Sequence, residues 1–182
     1  SGNSELTVHI DENKIATITI PSADWFGTET IAFTATDPAG LSDSDDAVFT
    51  VTNVNDPPVV DNIPGETVTE GSSFAAIDLD EFVEDIDNSD SEIIWSVSGE
   101  TNLEVSIDEN HLATITAIDE NWNGTEIITF TATDPGGLTD SDTAHFSVTP
   151  VNDPPVVEGI PDQNIEEGDE FTPFDLDDYV SD

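Results

Sequence analysis

The sequence has almost no basic residues: one Lys or Arg stands against 42 Asp and Glu among 182 residues, a formal net charge of −41. Binding to nucleic acid or to an anionic membrane depends on clusters of Lys and Arg, so both are poor partners for this chain. Cysteine is absent, which excludes disulfides and thiolate metal sites. No apolar run reaches the length that a bilayer-spanning segment needs, so membrane insertion of this stretch is not expected.

So acidic a chain repels itself, and an acidic sequence with few aromatic residues can be disordered. Here 35% of the residues are apolar, and they fall into patterned runs, which favours a folded protein. Bound divalent cations or a very salty medium would offset the negative charge. Both explanations stay open, since the near absence of Lys exceeds what cation sites alone require.

The sequence repeats itself. Residues 55–60, Asn-Asp-Pro-Pro-Val-Val, return as residues 152–157, a shift of 152 − 55 = 97 positions. At this offset residues 6–58 align without a gap with residues 103–155, and 35 of the 53 pairs are identical. Residues from 59 onward match those from 156 onward in the same way. Self-similarity at a fixed period indicates a tandem array of domains.

We therefore predict the C-terminal part of a first repeat in residues 1–56, a complete repeat in residues 57–153 and the N-terminal part of a third repeat in residues 154–182. Because a natural protein would hardly begin and end within a domain, we expect the chain to be a section of a longer array. Its first partners are then the neighbouring repeats. The front of the third repeat would also complement the back of the first repeat in another chain, and such head-to-tail self-association gives a fibre.

Within the complete repeat, apolar and polar residues alternate with a period of two, which is typical of strands. Thr, Val and Ile dominate these runs, and Gly, Pro, Asn and Asp separate them. Segment 78–87 is predicted to be a loop, and segment 108–110 a hairpin turn. Seven short strands in about one hundred residues are typical of an all-β, Greek-key β-sandwich. The predicted strands are residues 67–69, 74–77, 93–97, 103–107, 112–116, 127–133 and 144–148.

Acidic and amide side chains cluster where strands end and where repeats meet. Carboxylate, amide and main-chain oxygens are what Ca²⁺ takes as ligands, about six to eight per ion, whereas Mg²⁺ demands stricter geometry. The cluster therefore predicts Ca²⁺ as the cofactor, with merely solvated acidic turns as the alternative. Its members are Asp37, Asn55, Asp56, Glu70, Asp85, Asp87, Asp134, Asn152 and Asp153.

Several of these motifs resemble those of cadherins. Residues 132–136, Ala-Thr-Asp-Pro-Gly, lead through a strand to Val-Asn-Asp at 151–153, as in the cadherin pattern of Ala-x-Asp-x-Gly, final strand and Asn-Asp linker. Asp85 and Asp87 resemble the Asp-x-Asp loop, and Glu70 resembles the first-strand Glu. The whole is most similar to the cadherin-like tandem repeats of giant bacterial and archaeal surface proteins. This resemblance implies cadherin/Ig-like sandwiches, bound Ca²⁺, and an extracellular or cell-surface location.

The resemblance also implies two sets of calcium ligands. The first junction would use Asn55, Asp56, the Pro57 carbonyl, Asp85, Asp87, Asp134 and, from the preceding repeat, Asp24. The second junction would use Glu70, Asn152, Asp153 and Asp182. The family's Asp-Arg-Glu motif is absent; Asp24-Trp25 and Asn121-Trp122 stand in its place, which predicts one or two ions per junction rather than three.

The function expected from this resemblance is that of a calcium-rigidified structural or adhesive repeat in a rod or filament on the cell surface. A carbohydrate-binding or accessory module of a secreted multidomain protein is the alternative, and it requires Trp25 and Trp122 to be exposed rather than packed at the edge of a core.

We do not expect an enzyme, because the sequence offers no catalytic constellation. The three His residues, His9, His111 and His145, each align with a different residue type in the other copy. The recurring pairs Asp43/Asp45 and Asp140/Asp142 are interpreted as protection of a sheet edge or as a second ion site.

Overall fold

The computed structural model describes residues 5–181, and strands form most of its regular structure. The strands are β1 (Thr7–Ile10), β2 (Ala16–Thr19), β3 (Gly27–Thr36), β4 (Ser42–Val51), β5 (Val59–Val60), β6 (Glu66–Thr69), β7 (Ile77–Asp78), β8 (Val83–Glu84), β9 (Ile94–Ser98), β10 (Leu103–Ile107), β11 (Leu112–Ala117), β12 (Gly124–Thr133), β13 (Thr139–Thr149), β14 (Val156–Val157) and β15 (Val180–Ser181). Three 3₁₀ turns accompany them, at Leu79–Phe82, Asp90–Glu92 and Leu176–Tyr179. Over residues 5–181, no helix has the length and apolar character to cross a membrane. The predicted all-β class is confirmed.

The complete repeat contains a three-stranded sheet in the order β10-β11-β7 and a four-stranded sheet in the order β6-β13-β12-β9. Strands β10 and β11 form an antiparallel hairpin, whereas β6 runs parallel to β13. Alternate side chains along these strands are buried, as expected for the inner faces of two packed sheets. Deeply buried side chains of this repeat include Pro58, Leu79, Ile93, Leu103, Ala113, Ile115, Ile128, Phe130, Ala132, Ala144 and Phe146.

The chain forms two compact units. The first comprises the described part of Ser1–Ile63 together with Asp78–Ser96 and Phe130–Asp142. It contains the β1–β2 hairpin, the long β3–β4 hairpin with ten paired positions, and the short antiparallel pair β5–β8.

The second unit comprises Pro64–Ile77, Val97–Thr129 and the described part of Thr143–Asp182. It contains the β10–β11 hairpin, the parallel pairing of β6 with the end of β13, and the antiparallel pair β14–β15. The repeat boundaries at residues 57 and 153 stay a prediction.

The same hairpin turn recurs in two copies, at Asp11 and at Asp108. Each carboxylate accepts the main-chain N–H groups of the residues two and four positions ahead, at 2.8 to 3.0 Å. In the second copy the bonds from Leu112 and Asn110 lower the pKa of the Asp108 carboxyl below its ordinary value. The turn predicted at residues 108–110 is thus confirmed.

Two local predictions were wrong. Residues 74–76 are not a strand; Phe74 is buried there and packs edge-to-face against Phe146, with ring centroids 5.4 Å apart. Segment 78–87 is not all loop, because a 3₁₀ turn at Leu79–Phe82 buries Leu79 and leads into β8. Elements this short are stabilised by burial of one or two side chains, which leaves no periodicity to read.

Candidate metal centre

Asn55 of the Asn-Asp-Pro-Pro linker contacts Asp134, the residue that follows β12. Its Nδ2 donates to Asp134 Oδ2 at 2.6 Å and to the carbonyl oxygen of Asp56 at 3.2 Å. Asp134 is only 2% exposed, although Asp residues are seldom fully buried unless they are paired. The structure therefore brings together two predicted site residues that lie 79 positions apart in the chain.

Asp134 is held by the turn that follows β12. Its Oδ1 accepts the N–H of Leu138 at 2.8 Å, and its carbonyl oxygen accepts the N–H of Gly137 at 3.1 Å. Burial raises the pKa of the Asp134 carboxyl, but the Asn55 side chain and the main-chain N–H groups of Leu138, Gly137 and Gly136, all directed at the carboxylate, together outweigh burial and hold the pKa below its ordinary value. Asp134 is therefore an anion at neutral pH.

Gly136 leaves open the space that Asn55 occupies. A Cβ at position 136 would lie 2.6 Å from Asn55 Nδ2, whereas the matching residue of the first copy is Ala39. We expect Gly136→Ala to push the Asn55 side chain away from Asp134; if this junction binds calcium, the substitution should also reduce the rise in melting temperature that calcium causes. Thermal unfolding with and without calcium measures this. The matched control, Ala39→Gly, should keep the full response, and an undiminished response in Gly136→Ala would contradict the role given to Asn55.

The loop after β8 is folded around Asp85. Asp85 Oδ1 accepts the N–H groups of Asp87 and Asn88 at 2.8 and 2.9 Å, as Asp side chains commonly do in turns. Asp87 Oδ2 in turn accepts the N–H of Asp56 at 2.7 Å. The linker is thus bonded to this loop as well as to the turn at Asp134.

Two oxygens of the same loop suit a cation. Asp85 Oδ2 and Asn88 Oδ1 are buried without a hydrogen-bond partner, and a buried acceptor without a partner costs free energy. Carboxylate and amide oxygens are hard ligands that Ca²⁺ takes, so the donor set fits this ion. Asn88 was not predicted. Over residues 5–181 no three Asp, Glu or His side chains are grouped to hold a metal, so an ion at this loop would also need amide or main-chain oxygens as ligands.

Three other predicted ligands, Asp24, Asp37 and Pro57, are exposed. Asp24 lies in the turn before β3, and Pro57 lies in the linker. Asp37 accepts the N–H of Leu41 at 2.8 Å, in a turn that matches the one at Asp134. The residue that would contact Asp37 as Asn55 contacts Asp134 would stand 97 positions before Asn55. That position is outside this sequence.

The second junction gathers three predicted residues. Glu70 Oε2 accepts the N–H of Val151 at 2.8 Å, which ties the end of β6 to the linker. Asn152 Nδ2 donates to the carbonyl oxygen of Asp153 at 2.9 Å, the same bond that Asn55 makes in the first linker. Glu70, Asn152 and Asp153 line one open groove of about 730 Å³.

Asn121, the counterpart of Asp24, lines this groove as well, and it was not predicted as a ligand. Asp182, the fourth residue predicted for the second junction, lies outside the described residues. Side-chain oxygens of the kind that bind a cation therefore line this groove from three places: the residue after β6, the turn before β12, and the linker.

A buried carboxylate on β12, Glu126, was also not predicted. It is 8% exposed and accepts the N–H groups of Thr101, Asn102 and Leu103 at 3.0, 2.7 and 3.2 Å, together with Asn102 Nδ2 at 2.8 Å. Burial raises the pKa of Glu126, and the four hydrogen bonds more than offset burial, so the pKa lies below its ordinary value. Glu126 thus fastens the loop before β10 to β12.

Glu29 makes the same contact in the first copy, where its Oε1 accepts the N–H groups of Glu5 and Leu6 at 2.8 and 3.3 Å. The sequence offered one indication of this contact: Glu29 and Glu126 occupy the same inward-facing strand position in the two copies. The predicted strand began at residue 127, three positions after the observed start of β12 at Gly124, and so left Glu126 outside the strand.

Asp140 and Asp142 on β13 bind main-chain N–H groups, a role that is neither protection of a sheet edge nor a second ion site. Asp140 Oδ2 accepts the N–H of Val60 at 2.8 Å, and Asp142 Oδ2 accepts the N–H of Ile63 at 2.9 Å. The pair ties the segment that follows the linker to β13.

Trp25 and Trp122 are half-buried, and each packs on the glycine two positions later. A Cβ on Gly27 or Gly124 would lie 3.0 or 2.8 Å from the Cζ2 atom of the ring. This packing favours the core-edge interpretation of the two indoles over sugar stacking.

Comparisons with known proteins agree with this architecture. A solved structure of protocadherin gammaB7, described as an EC3-6 cis-dimer, matches with a TM-score of 0.54 at 22% identity, covering 87% of this chain and 42% of that chain. Extracellular cadherin domains 1-4 of protocadherin gamma B7 match with a TM-score of 0.49 at 21% identity, covering 78% and 37%. The chain thus spans less than half the length of these two structures, and at 22% identity the match to the first of them shows the fold alone.

No curated protein matches the sequence. A family model described as Bacterial Ig domain, however, matches residues 55–149, which is more than half of the 182 residues. The matched stretch includes the first linker, the loop around Asp85 and the turn at Asp134. With its cadherin-like sandwich fold, the chain belongs to the bacterial Ig domain family.

Proposed function

We propose that this chain is a stretch of a calcium-stiffened rod of Ig-like repeats outside the cell, which projects an adhesive domain or builds a surface layer. The observation that carries the proposal is a pair of contacts between one linker and two loops of the next repeat, Asn55 to Asp134 and Asp56 to Asp87. An ion at this place would reinforce a connection that the side chains already make.

The proposed ligands are oxygen donors of the linkers and of the loops bonded to them. At the first junction they are Asn55, Asp56, the Pro57 carbonyl, Asp85, Asp87, Asn88 and Asp134, with Asp24 from the preceding repeat. At the second junction they are Glu70, Asn121, Asn152, Asp153 and Asp182, and Asp37 would serve a junction ahead of the first repeat. When bound, the ion supplies positive charge among carboxylates that otherwise repel one another.

Stiffness follows from the linker and the charge together. Pro57 and Pro58 fix φ and remove two main-chain donors, so the linker has few conformations to begin with. A net charge of −41 opposes compact packing until cations offset it. Tandem repeats contact their neighbours only, so the geometry of each junction determines how straight the array is. Calcium outside the cell would thereby control the stiffness of the rod.

Small-angle X-ray scattering in millimolar calcium and in chelator tests the stiffening. We expect a narrower distribution of interatomic distances with a longer maximum dimension in calcium, and no such change in magnesium. Asp134→Asn should respond less than the unmodified chain. Identical scattering curves in calcium and in chelator would contradict the rod, even where calcium binding is measured.

A further inference from the structure

The turn before β12 contains the dipeptide Asn123-Gly124, and Asn-Gly occurs at no other place in the sequence. Asp119 closes this turn, because its side chain accepts the N–H of Asn121 and its carbonyl oxygen accepts the N–H of Trp122, both at 3.0 Å. Asn123 comes after these bonds and before the first residue of β12. The turn is thus formed without the Asn123 side chain.

The side chain of Asn123 is exposed. Asn102 and Asn152 each donate a hydrogen bond through Nδ2, at 2.8 and 2.9 Å, whereas no such bond to another residue of the range 5–181 holds the amide of Asn123. Its counterpart in the first copy, Phe26, is 47% exposed, so the turn presents this position to solvent in both copies. The Asn123 amide can therefore rotate toward its own main chain.

The residue that follows Asn123 has to be glycine. Gly124 has a φ of 155°, which residues with a side chain rarely adopt, and a Cβ there would lie 2.8 Å from Cζ2 of Trp122. Gly27 packs against Trp25 in the same way in the first copy, but a Phe precedes it. The fold thus fixes the glycine, and the second copy alone places an Asn before it.

We infer that Asn123 is a site of spontaneous deamidation in the folded chain. The main-chain nitrogen of Gly124 loses its proton to hydroxide and attacks Cγ of Asn123; Nδ2 leaves as ammonia, and a succinimide ring remains. Water then opens the ring at either carbonyl and gives Asp or isoaspartate. The net reaction consumes one water and releases one ammonia, so no oxidant or other reactant is needed. Asn is a chemically labile residue, and glycine leaves the attacking nitrogen unshielded.

The new carboxylate would lie in the groove of the second junction. Asn123 lines that groove together with Glu70 and Asn152, and the reaction replaces its neutral amide with an anion that is a hard oxygen ligand. Because the number of charged ligands sets the affinity of a calcium site, deamidation would strengthen cation binding at this junction as the protein ages. This consequence rests on the proposed calcium junctions, whereas the chemical step does not.

Peptide mapping by mass spectrometry tests the chemical step on the folded chain, incubated in mildly alkaline buffer below its melting temperature. We expect most chains to exchange the Asn123 amide for an acid, partly as isoaspartate, with an equal amount of ammonia released. The reaction should speed up as the pH rises, because ring closure needs the deprotonated nitrogen. Asn121, which stands before Trp122 in the same turn, is the internal control and should keep its amide.

A parallel incubation in denaturant separates the effect of the dipeptide from that of the fold. Asn123 should convert in both the folded and the denatured chain. A folded chain that keeps this amide while the denatured chain loses it would overturn the inference. Asn123→Gln has the same amide on a longer side chain, which closes a ring far more slowly, and it should stay unmodified in both.

Calcium titration of Asn123→Asp, which is one product of the reaction made directly, tests the consequence for the groove. We expect several-fold tighter binding than in the freshly prepared unmodified chain. Asn110→Asp adds the same charge at an exposed position of the β10–β11 turn and should bind calcium like the unmodified chain. Equal affinities in Asn123→Asp and Asn110→Asp would overturn the strengthening of the groove. If no variant binds calcium, the proposed function fails, while conversion of Asn123, measured by mass alone, still supports the modification site.

Discussion

Millimolar calcium is expected to raise the melting temperature of this chain by about 3 to 6 °C for each ion bound, and magnesium is not. Extracellular calcium modules bind with dissociation constants of about 10⁻⁴ to 10⁻³ M. Calcium at ten times such a constant stabilises the folded state by about 1.4 kcal/mol per ion. In a protein of this size each kcal/mol moves the melting temperature by about 2 to 4 °C.

Two variants with one matched control locate the effect. Asp85→Asn removes the charge behind the unpartnered oxygen Asp85 Oδ2, and Asp134→Asn removes the anion that Asn55 contacts; both should reduce the calcium response. Asp37→Asn is the control: it alters the matching turn of the first copy, for which the sequence supplies no linker Asn. This variant should therefore keep the full calcium response. Stabilisation by high salt alone, whatever the cation, would mean that the acidity is halophilic and that the junction holds no ion.

The substitution Glu126→Gln is expected to lower the free energy of unfolding by about 3 kcal/mol, independently of calcium. Glu126 accepts four hydrogen bonds, and a Gln side chain would turn N–H donors toward main-chain N–H groups in a buried place. Denaturant unfolding in chelator measures the loss. Glu104→Gln removes one charge at an exposed position of β10 and should change stability by less than about 0.5 kcal/mol. Equal losses of stability in Glu126→Gln and Glu104→Gln would contradict the stabilising role given to the Glu126 carboxylate.

The pH dependence of the difference in unfolding free energy between the unmodified chain and Glu126→Gln gives a second test. The pKa of Glu126 is lowered from 4.5 in the folded chain, so its stabilisation is present above about pH 4.5 and is lost as the pH falls through the folded-state pKa. Acid also relieves the repulsion within a chain of net charge −41, which acts in the opposite direction. The stability gap between the chain and Glu126→Gln is therefore the quantity to follow. It should shrink in acid, and a constant gap would show that Glu126 contributes nothing through its charge.

The 97-residue period, the strand-rich class and the acidic junction loops could be predicted because each depends on local pattern. Alternation marks the strands, and Asp or Asn beside Gly or Pro marks the turns. The Asn55–Asp134 contact followed from two motifs known to meet in cadherin-like repeats, since nothing within either motif specifies a partner 79 positions away.

The features that escaped prediction depend on tertiary contacts. Apart from its recurrence as Glu29, a Glu at position 126 resembles any exposed strand residue until the three main-chain N–H groups and the Asn102 amide that it binds are placed around it. Asp140 and Asp142 repeat as visibly as the ligands do, but their partners are the main-chain N–H groups of Val60 and Ile63, which have no sequence signature. Asn88 was missed because only the burial of its Oδ1 sets it apart from other loop amides.

Isothermal titration calorimetry with calcium tests most directly whether the first junction is an ion site. We predict saturable binding with a dissociation constant near 10⁻⁴ M (about the range of extracellular calcium modules), a stoichiometry reduced by one ion in Asp85→Asn, and no comparable heat with magnesium. The absence of saturable binding, or binding that Asp85→Asn leaves unchanged, would contradict the account.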